Sequence, residues 1–527
     1  MSVTPATLPA LLTRAARAHG GRPAVVMDGR QVSYAELHDL AARVAATLRA
    51  HGVQRGDPVA LWLPKSPEAI AALYGAMLAG AAYVPVDPGS PPARMAWIVR
   101  HAGAVALVTR TDRLAQIAQA FEGTLPVRSI VVTDIVTDDE ARAQRGGVPV
   151  ASWREVLSAP AEARLHVEPD DLSYILYTSG STGEPKGVAH THASAMAFVD
   201  WAARTFAVGS EDRLANHAPF HFDLSTFDLF AAAWAGAAVY PVSARIFSFP
   251  AAVAKSWSEQ RLTIWYATPS SLTLMLTRGN LAALDLSALR VLLFAGEVFP
   301  VKYLRELMAL APRARFANLY GPTETNVCTW LDVTRVPAGD APLPIGVPCC
   351  GDQAFVLDES LGVVPDGAPG ELWIAGPTVM RGYWGDPERT VKSLRPLDAA
   401  GGARAYATGD LVRRRADGAL EFLGRRDHQV KTRGYRVELG EIEVALHRHP
   451  AVDEAVVVAI PDDEITNRIV AIVVTRRGAD ATEAALKQHC AESLPRYMVP
   501  ERISFRDALP RTSSGKVDRR ALASVES

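Results

Sequence analysis

A chain of 527 residues is too long for one ordinary core, and a formal net charge of −2 without a basic block makes neither nucleic acid nor an anionic membrane its main partner. Hydrophobic residues at 49% and charged residues at 21% are the balance of a soluble globular protein. Four scattered cysteines build neither a disulfide framework nor a paired CxxC metal site, which points to a reducing cytoplasm.

The first 21 residues interleave Arg14 and Arg17 with apolar positions and do not read as a signal peptide. Helical spacing runs from Ser33 to Arg49, and a strand-like run over 58–63 leads into the helix after Pro67. The uncharged run between Glu68 and Asp87 has the length of a membrane span. Its Ala/Gly richness, with Gly80 and Pro85, predicts instead a buried helix over 69–78, a turn and a strand over 82–86. Strands over 104–109, 129–133, 263–267 and 291–295 alternate with helical segments, as in α/β layers.

The stretch from Tyr177 to Val188, with Thr178, Ser179, Gly180, Ser181, Thr182, Gly183 and Lys186, follows an apolar strand over 172–176 and precedes a small-residue segment of helical character. Glycines let backbone N–H groups approach a polyanion, hydroxyls add donors and Lys186 adds positive charge, so phosphate is the expected occupant. A flexible linker seldom follows a buried strand, and no Gly-Lys-Ser/Thr makes this a Walker loop.

Three further clusters suit the same chemistry. In 318–325, Tyr320 can stack on a nucleobase and Glu324 can hold a hard cation; Asp410 ends an extended run and can accept hydrogen bonds from ribose hydroxyls; Asp223 lies among aromatics in 217–228. His217 and His221 read as structural histidines. Beyond 346–351, turns at Asp366-Gly367, Gly382 and Asp417-Gly418 predict a β-rich subdomain. A second boundary near 424–427 opens a small α+β unit with helices over 442–447 and 481–494 and strands over 452–460 and 469–475.

Taken together, 79–88, the phosphate loop, 318–325, 370–374, 406–411, 424–443 and 509–519 resemble, nearly end to end, the adenylate-forming superfamily of acyl-CoA synthetases, luciferases and nonribosomal-peptide adenylation domains. The resemblance implies an α/β fold: a large N-terminal core over 1–426, made of two α/β subdomains and a β-rich one, and a small mobile α+β domain over 427–527. It implies ATP and Mg²⁺, and a carboxylate that attacks ATP to form an acyl-adenylate before a thiol captures the acyl group. By the same resemblance Thr178 to Gly183 and Lys186 hold the leaving phosphates, and Tyr320, with Asn318 and Gly321, packs about adenine. Thr323 lies beside the α-phosphate, Glu324 binds Mg²⁺, Asp410 and Arg425 address the ribose, and Lys516 is the adenylation lysine. Asp427 is the hinge about which Gly434-Tyr435-Arg436 turn toward a pantetheine arm. Departures are small: Ala407 replaces a frequent arginine and Arg511 a frequent apolar residue.

Asp223 implies an amino-acid substrate, since it pairs with an α-ammonium in such relatives. The implied pocket is Asp223, Leu224, Phe227, Tyr266, Leu293, Ala295, Leu319, Val327 and Cys328, closed by Lys516. An apolar lining of medium size disfavours a charged side chain. The pattern resembles the free-standing L-prolyl ligases that load a peptidyl carrier protein at the start of pyrrole biosynthesis. A chain ending soon after Lys516 leads to the expectation of a carrier protein supplied in trans, with no nucleic-acid or membrane partner. D-alanyl-carrier-protein ligases, acyl- or aryl-CoA ligases and a silent nucleotide-binding adaptor remain as alternatives.

Overall fold

The computed structural model describes residues 5–122, 124–134, 148–161, 166–180, 183–336, 339–426, 429–476, 478–479, 481–511 and 517–526. Among these, two large sheets are parallel at their centres and antiparallel at an edge. One runs, in order, from Val347–Pro348 through Thr329–Asp332, Arg315–Tyr320, Val291–Ala295, Ile264–Ala267, Arg213–Asn216, Ala238–Pro241 and Pro23–Met27 to Arg30–Ser33. The other is built around Leu172–Thr178, Ala82–Pro85, Pro58–Leu61 and Ala106–Thr109.

Local chemistry explains the elements between them. Ser33 and Glu36 form a capping box for helix Tyr34–Ala50, and the Ser66 side chain accepts from Ala69 N at the start of helix Pro67–Leu78. Helix Pro67–Leu78 is buried throughout, so the uncharged run is a core element; no helix of the described residues is long and apolar enough to cross a membrane. A smaller antiparallel sheet contains Gln353–Leu357, Pro369–Ala375, Arg404–Arg414, Leu394–Pro396 and Leu420–Arg425. The last hundred residues have a core of their own, with helices Leu439–His447 and Glu483–Ser493 packed on strands Val452–Asp462, Thr466–Thr475 and Arg502–Phe505.

Three expectations need correction. The phosphate loop does not pass directly into a helix: Lys186–Thr191 returns as a strand paired with Leu172–Thr178, Thr178 opposite Lys186, and the helix begins only at His192. Four consecutive buried residues along Lys186–Thr191 suit a strand covered on both faces. Asp410 lies within strand Arg404–Arg414 rather than at its end, because Gly409, at φ +74°, turns the backbone without terminating the strand. Gly382 is not a turn but part of a short strand paired with Ala189.

Candidate active site

The ends of strands Leu172–Thr178, Val291–Ala295 and Arg315–Tyr320 meet the C-terminal hairpin 429–438 around a cavity of about 90 Å³. Its lining includes Thr178, Ser179, Asp223, Tyr320, Gly321, Thr323, Asp410, Arg425 and Lys431. Tyr320 donates its hydroxyl proton to the Asp410 carboxylate, whose other oxygen meets Arg425 at 2.5 Å. Asn318 stands back from the cavity and donates to the Pro344 carbonyl at 2.9 Å.

Glu324 is fully buried on a single turn of helix, Thr323–Thr325. Its carboxylate meets Lys186 at 3.0 Å and Arg436 at 2.7 Å, and accepts the Tyr383 hydroxyl at 2.7 Å. Burial works against the charge, but Arg436 and Lys186 hold the carboxyl well below its ordinary range. Burial, with Arg436 adding repulsion, brings Lys186 down to about 8. A single buried carboxylate able to exchange a protein cation for a metal is the donor set that magnesium uses beside phosphate oxygens.

The phosphate loop is engaged by the C-terminal domain. Ser179 Oγ donates to the Arg436 carbonyl at 2.7 Å, and Gly180 N–H donates to Glu441 Oε2 at 3.2 Å. Glu441 Oε1 meets Arg94 at 2.6 Å in a pair whose side chains are 1% and 9% exposed. A Cβ at position 180 would come within 2.0 Å of the Glu184 carbonyl, so this tight approach requires glycine. Thr178 Oγ1 is buried with no hydrogen-bond partner among the described residues, as befits a donor held for a ligand. Ser181, Thr182, Asp427, expected as the hinge, and Lys516 lie outside the described residues.

Of the expected amino-acid pocket, Asp223, Leu224, Tyr266, Ala295 and Val327 line the cavity. Phe227 stands behind Tyr266, ring to ring at 5.8 Å, and Leu293 and Leu319 are buried in the same core cluster. Cys328 is not pocket wall: it packs in another cluster with Tyr320, its Sγ 3.6 Å from the Tyr320 carbonyl. The chain bends before strand Thr329–Asp332, and Val327 and Cys328 serve different cores. Burial raises the Asp223 carboxyl above its ordinary value despite Thr323, the Leu224 N–H and Lys431.

A larger cavity of about 500 Å³ adjoins the first, and His221, Tyr435 and Tyr497 line both. Lys65 on its wall donates to the carbonyls of Asn216 and His217 at 2.7 and 2.8 Å, and burial lowers it to about 7. His217 stacks on Phe247 at 5.0 Å and burial brings it to about 3, so it is a neutral wall residue. Sequence reasoning missed Lys431, Glu441, Arg94 and the second partner of Glu324. The one signal for Lys431 and Glu441 was their place among the charges flanking Gly434-Tyr435-Arg436; Arg94 gave none.

The AMP-binding enzyme family model matches residues 12–384, and that of the AMP-binding enzyme C-terminal domain matches residues 441–516. The chain is 41% identical over 502 residues to an L-proline--[L-prolyl-carrier protein] ligase of Pseudomonas fluorescens, covering 95% of both chains. It is 40% identical to a ligase of the same description from Streptomyces coelicolor, covering 96% of this chain and 94% of that one. Among solved structures it resembles the amide bond synthetase McbA from Marinactinospora thermotolerans, at a TM-score of 0.84 and 26% identity over 98% of this chain and 99% of that one. The Vibrio cholerae adenylation domain AlmE, solved with glycyl-adenosine-5'-phosphate, shares the fold at a TM-score of 0.85 and 24% identity, covering 100% of this chain and 98% of that one. The chain belongs to the AMP-binding enzyme family.

Proposed function

We propose that this enzyme activates L-proline with ATP to prolyl-AMP and pyrophosphate, then transfers the prolyl group to the phosphopantetheine thiol of a carrier protein. The observation that carries the reading is Asp223, a half-buried carboxylate on the wall of the small cavity beside the phosphate loop, with Leu224, Tyr266, Ala295 and Val327 on the same wall. A charge so placed calls for a cationic substrate group, and proline's secondary ammonium offers two N–H donors to it. Leu224, Tyr266, Ala295 and Val327 leave room for a compact aliphatic ring. The two prolyl-carrier ligases at 40–41% identity support the same substrate and acceptor.

Within this reading the phosphate loop from Thr178 to Gly183 and Lys186 hold phosphates. Tyr320 packs on adenine, with Gly321 beside it and Asn318 supporting the strand behind, Asp410 and Arg425 address the ribose, and Thr323 faces the α-phosphate. Glu324 would hold Mg²⁺, which would neutralise phosphate oxygens. Lys516 neutralises charge as two anions are brought together, a repulsion of roughly 4 kcal/mol at intermediate dielectric. The chain divides into a core over 1–426 and a mobile domain over 427–527, turning at Asp427. All four cysteines are free thiols, in keeping with a cytoplasmic reaction.

Pyrophosphate exchange into ATP across a panel of L-proline, D-alanine, L-alanine, L-valine and benzoate tests the reading. L-proline is expected to dominate, and Lys516→Ala to abolish exchange while ATP still binds. A D-alanine preference overturns the pocket assignment, benzoate activity overturns the role of Asp223, and silence throughout overturns adenylation.

A further inference from the structure

Three residues line both cavities, and two of them, Tyr435 and Tyr497, are phenols that burial holds in the protonated form. The third is His221. Its Nε2 is buried and meets no hydrogen-bond partner among the described residues. His190 bonds Ser194 through Nδ1 and the Thr323 carbonyl through Nε2, whereas His192 and His217 each keep a buried Nδ1 unpartnered among the described residues; what sets His221 apart is its place on both cavities. The His221 ring lies edge-on to Phe222 at 5.1 Å, and Phe222 meets Tyr435 of the C-terminal domain at 4.9 Å, so the imidazole stands where the larger cavity reaches the site.

The surroundings leave the ring unprotonated and free to accept a proton. Burial lowers the affinity of His221 for a proton, so the ring is neutral at pH 7. Lys65, from the loop before helix Pro67–Leu78, and Arg94, from helix Pro92–Ala102, also disfavour the imidazolium, while Asp87 favours it. Tyr435 and Tyr497 face it from the C-terminal domain without charge.

We propose that His221 accepts the proton of the incoming thiol during thioester formation. The S–H proton passes to the imidazole as sulfur bonds to the carbonyl carbon of prolyl-AMP. The bond from that carbon to the phosphate oxygen then breaks, AMP leaves with the electron pair, and the imidazolium returns its proton to solvent. The assignment rests on the thioester-forming reading above and adds a residue that the first half-reaction does not need.

The test separates the half-reactions in His221→Gln, which keeps a polar side chain but cannot titrate. L-proline-dependent pyrophosphate exchange is expected to stay within about twofold of the parent, while transfer from preformed prolyl-AMP to D-pantetheine at pH 7 falls about tenfold or more, as for a lost general base. The deficit should shrink toward about pH 9, above the ordinary thiol pKa near 8.5, where the thiol ionises unaided. An unchanged transfer rate and pH profile overturns the proposal. Equal loss of exchange and transfer also overturns it, since His221 would then be a structural residue. A parent enzyme that exchanges pyrophosphate but never forms a thioester sinks the underlying reading, and the proposal with it.

Discussion

Asp223 illustrates how one residue can serve binding at the expense of the empty fold. Burial raises its carboxyl above the ordinary value, so between the unfolded and folded values the native state holds a proton that the unfolded chain has lost. Stability of the unliganded protein therefore rises as pH falls through that window, while affinity for an ammonium falls, because only the carboxylate pairs with it. Asp223→Asn is expected to raise the melting temperature at pH 7 and to cut kcat/KM for L-proline by about 3–5 kcal/mol, roughly a thousandfold, as when one partner of a buried pair is removed. The KM for L-proline should climb as pH drops in the parent and stay flat in the variant. A variant that melts lower, or that keeps the parental pH dependence, would assign the carboxylate to structure. Asp223 could be singled out from sequence through the family resemblance, because the same aromatic stretch also holds Asp228. Phe227, Leu293 and Leu319 were placed a layer too close, because sequence names the residues of a wall without saying which stand in front; Tyr266 covers Phe227.

At the scale of elements, the phosphate loop and helix Leu439–His447 compete for one space. In this arrangement Glu441 presents a carboxylate to Gly180 N–H, and Arg436 presents a guanidinium to Glu324. An anion and a cation of the C-terminal domain thus stand where phosphate and metal are expected, so this docking would exclude magnesium pyrophosphate. The Arg94–Glu441 pair stabilises the docked state; Arg94→Ala would leave Glu441 buried beside the loop without its cation, at a cost of about 3–5 kcal/mol. Thioester formation is then expected to slow by at least tenfold with pyrophosphate exchange preserved, and Arg94→Ala combined with Glu441→Gln should recover part of the loss. Equal damage to both half-reactions, or no recovery, would count against the latch. Nothing in the sequence joined these two residues, which lie 347 positions apart. The loop itself was legible because its glycines and hydroxyls are contiguous. The small-residue helix after it was legible too, beginning at His192, but the short return strand over 186–191 was not, because nothing in those six residues fixes a strand until its partner is known.

For the whole molecule, the question is how firmly the C-terminal domain is held in this pose. Two contacts lie outside the site: Lys302 meets Asp463 at 2.5 Å, and Arg278 pairs with Glu464. Deeper in, Glu297 accepts Gly434 N–H at 2.7 Å, and a Cβ at 434 would meet Thr268 at 2.6 Å, so the hairpin can approach only as glycine. The inner contacts set the geometry, whereas the outer pairs, with Lys302 49% and Asp463 76% exposed, adjust the population. An exposed pair contributes about 0.2–1 kcal/mol, enough to shift the docked fraction by roughly one- to fivefold without disturbing the fold. Lys302→Glu or Asp463→Lys alone places like charges together and is expected to slow thioester transfer about two- to fivefold, leaving pyrophosphate exchange equal or slightly faster. The double exchange, Lys302→Glu with Asp463→Lys, should restore the parental rate, and about 0.5 M salt should erase the difference among all four proteins, because exposed charges are screened there. Failure of the double variant to recover would mean that the loss came from local packing. A uniform loss in both half-reactions would mean that docking does not limit transfer. Recovery in the pair, together with the salt effect, would identify surface charge as the control on how long the C-terminal domain stays over the site.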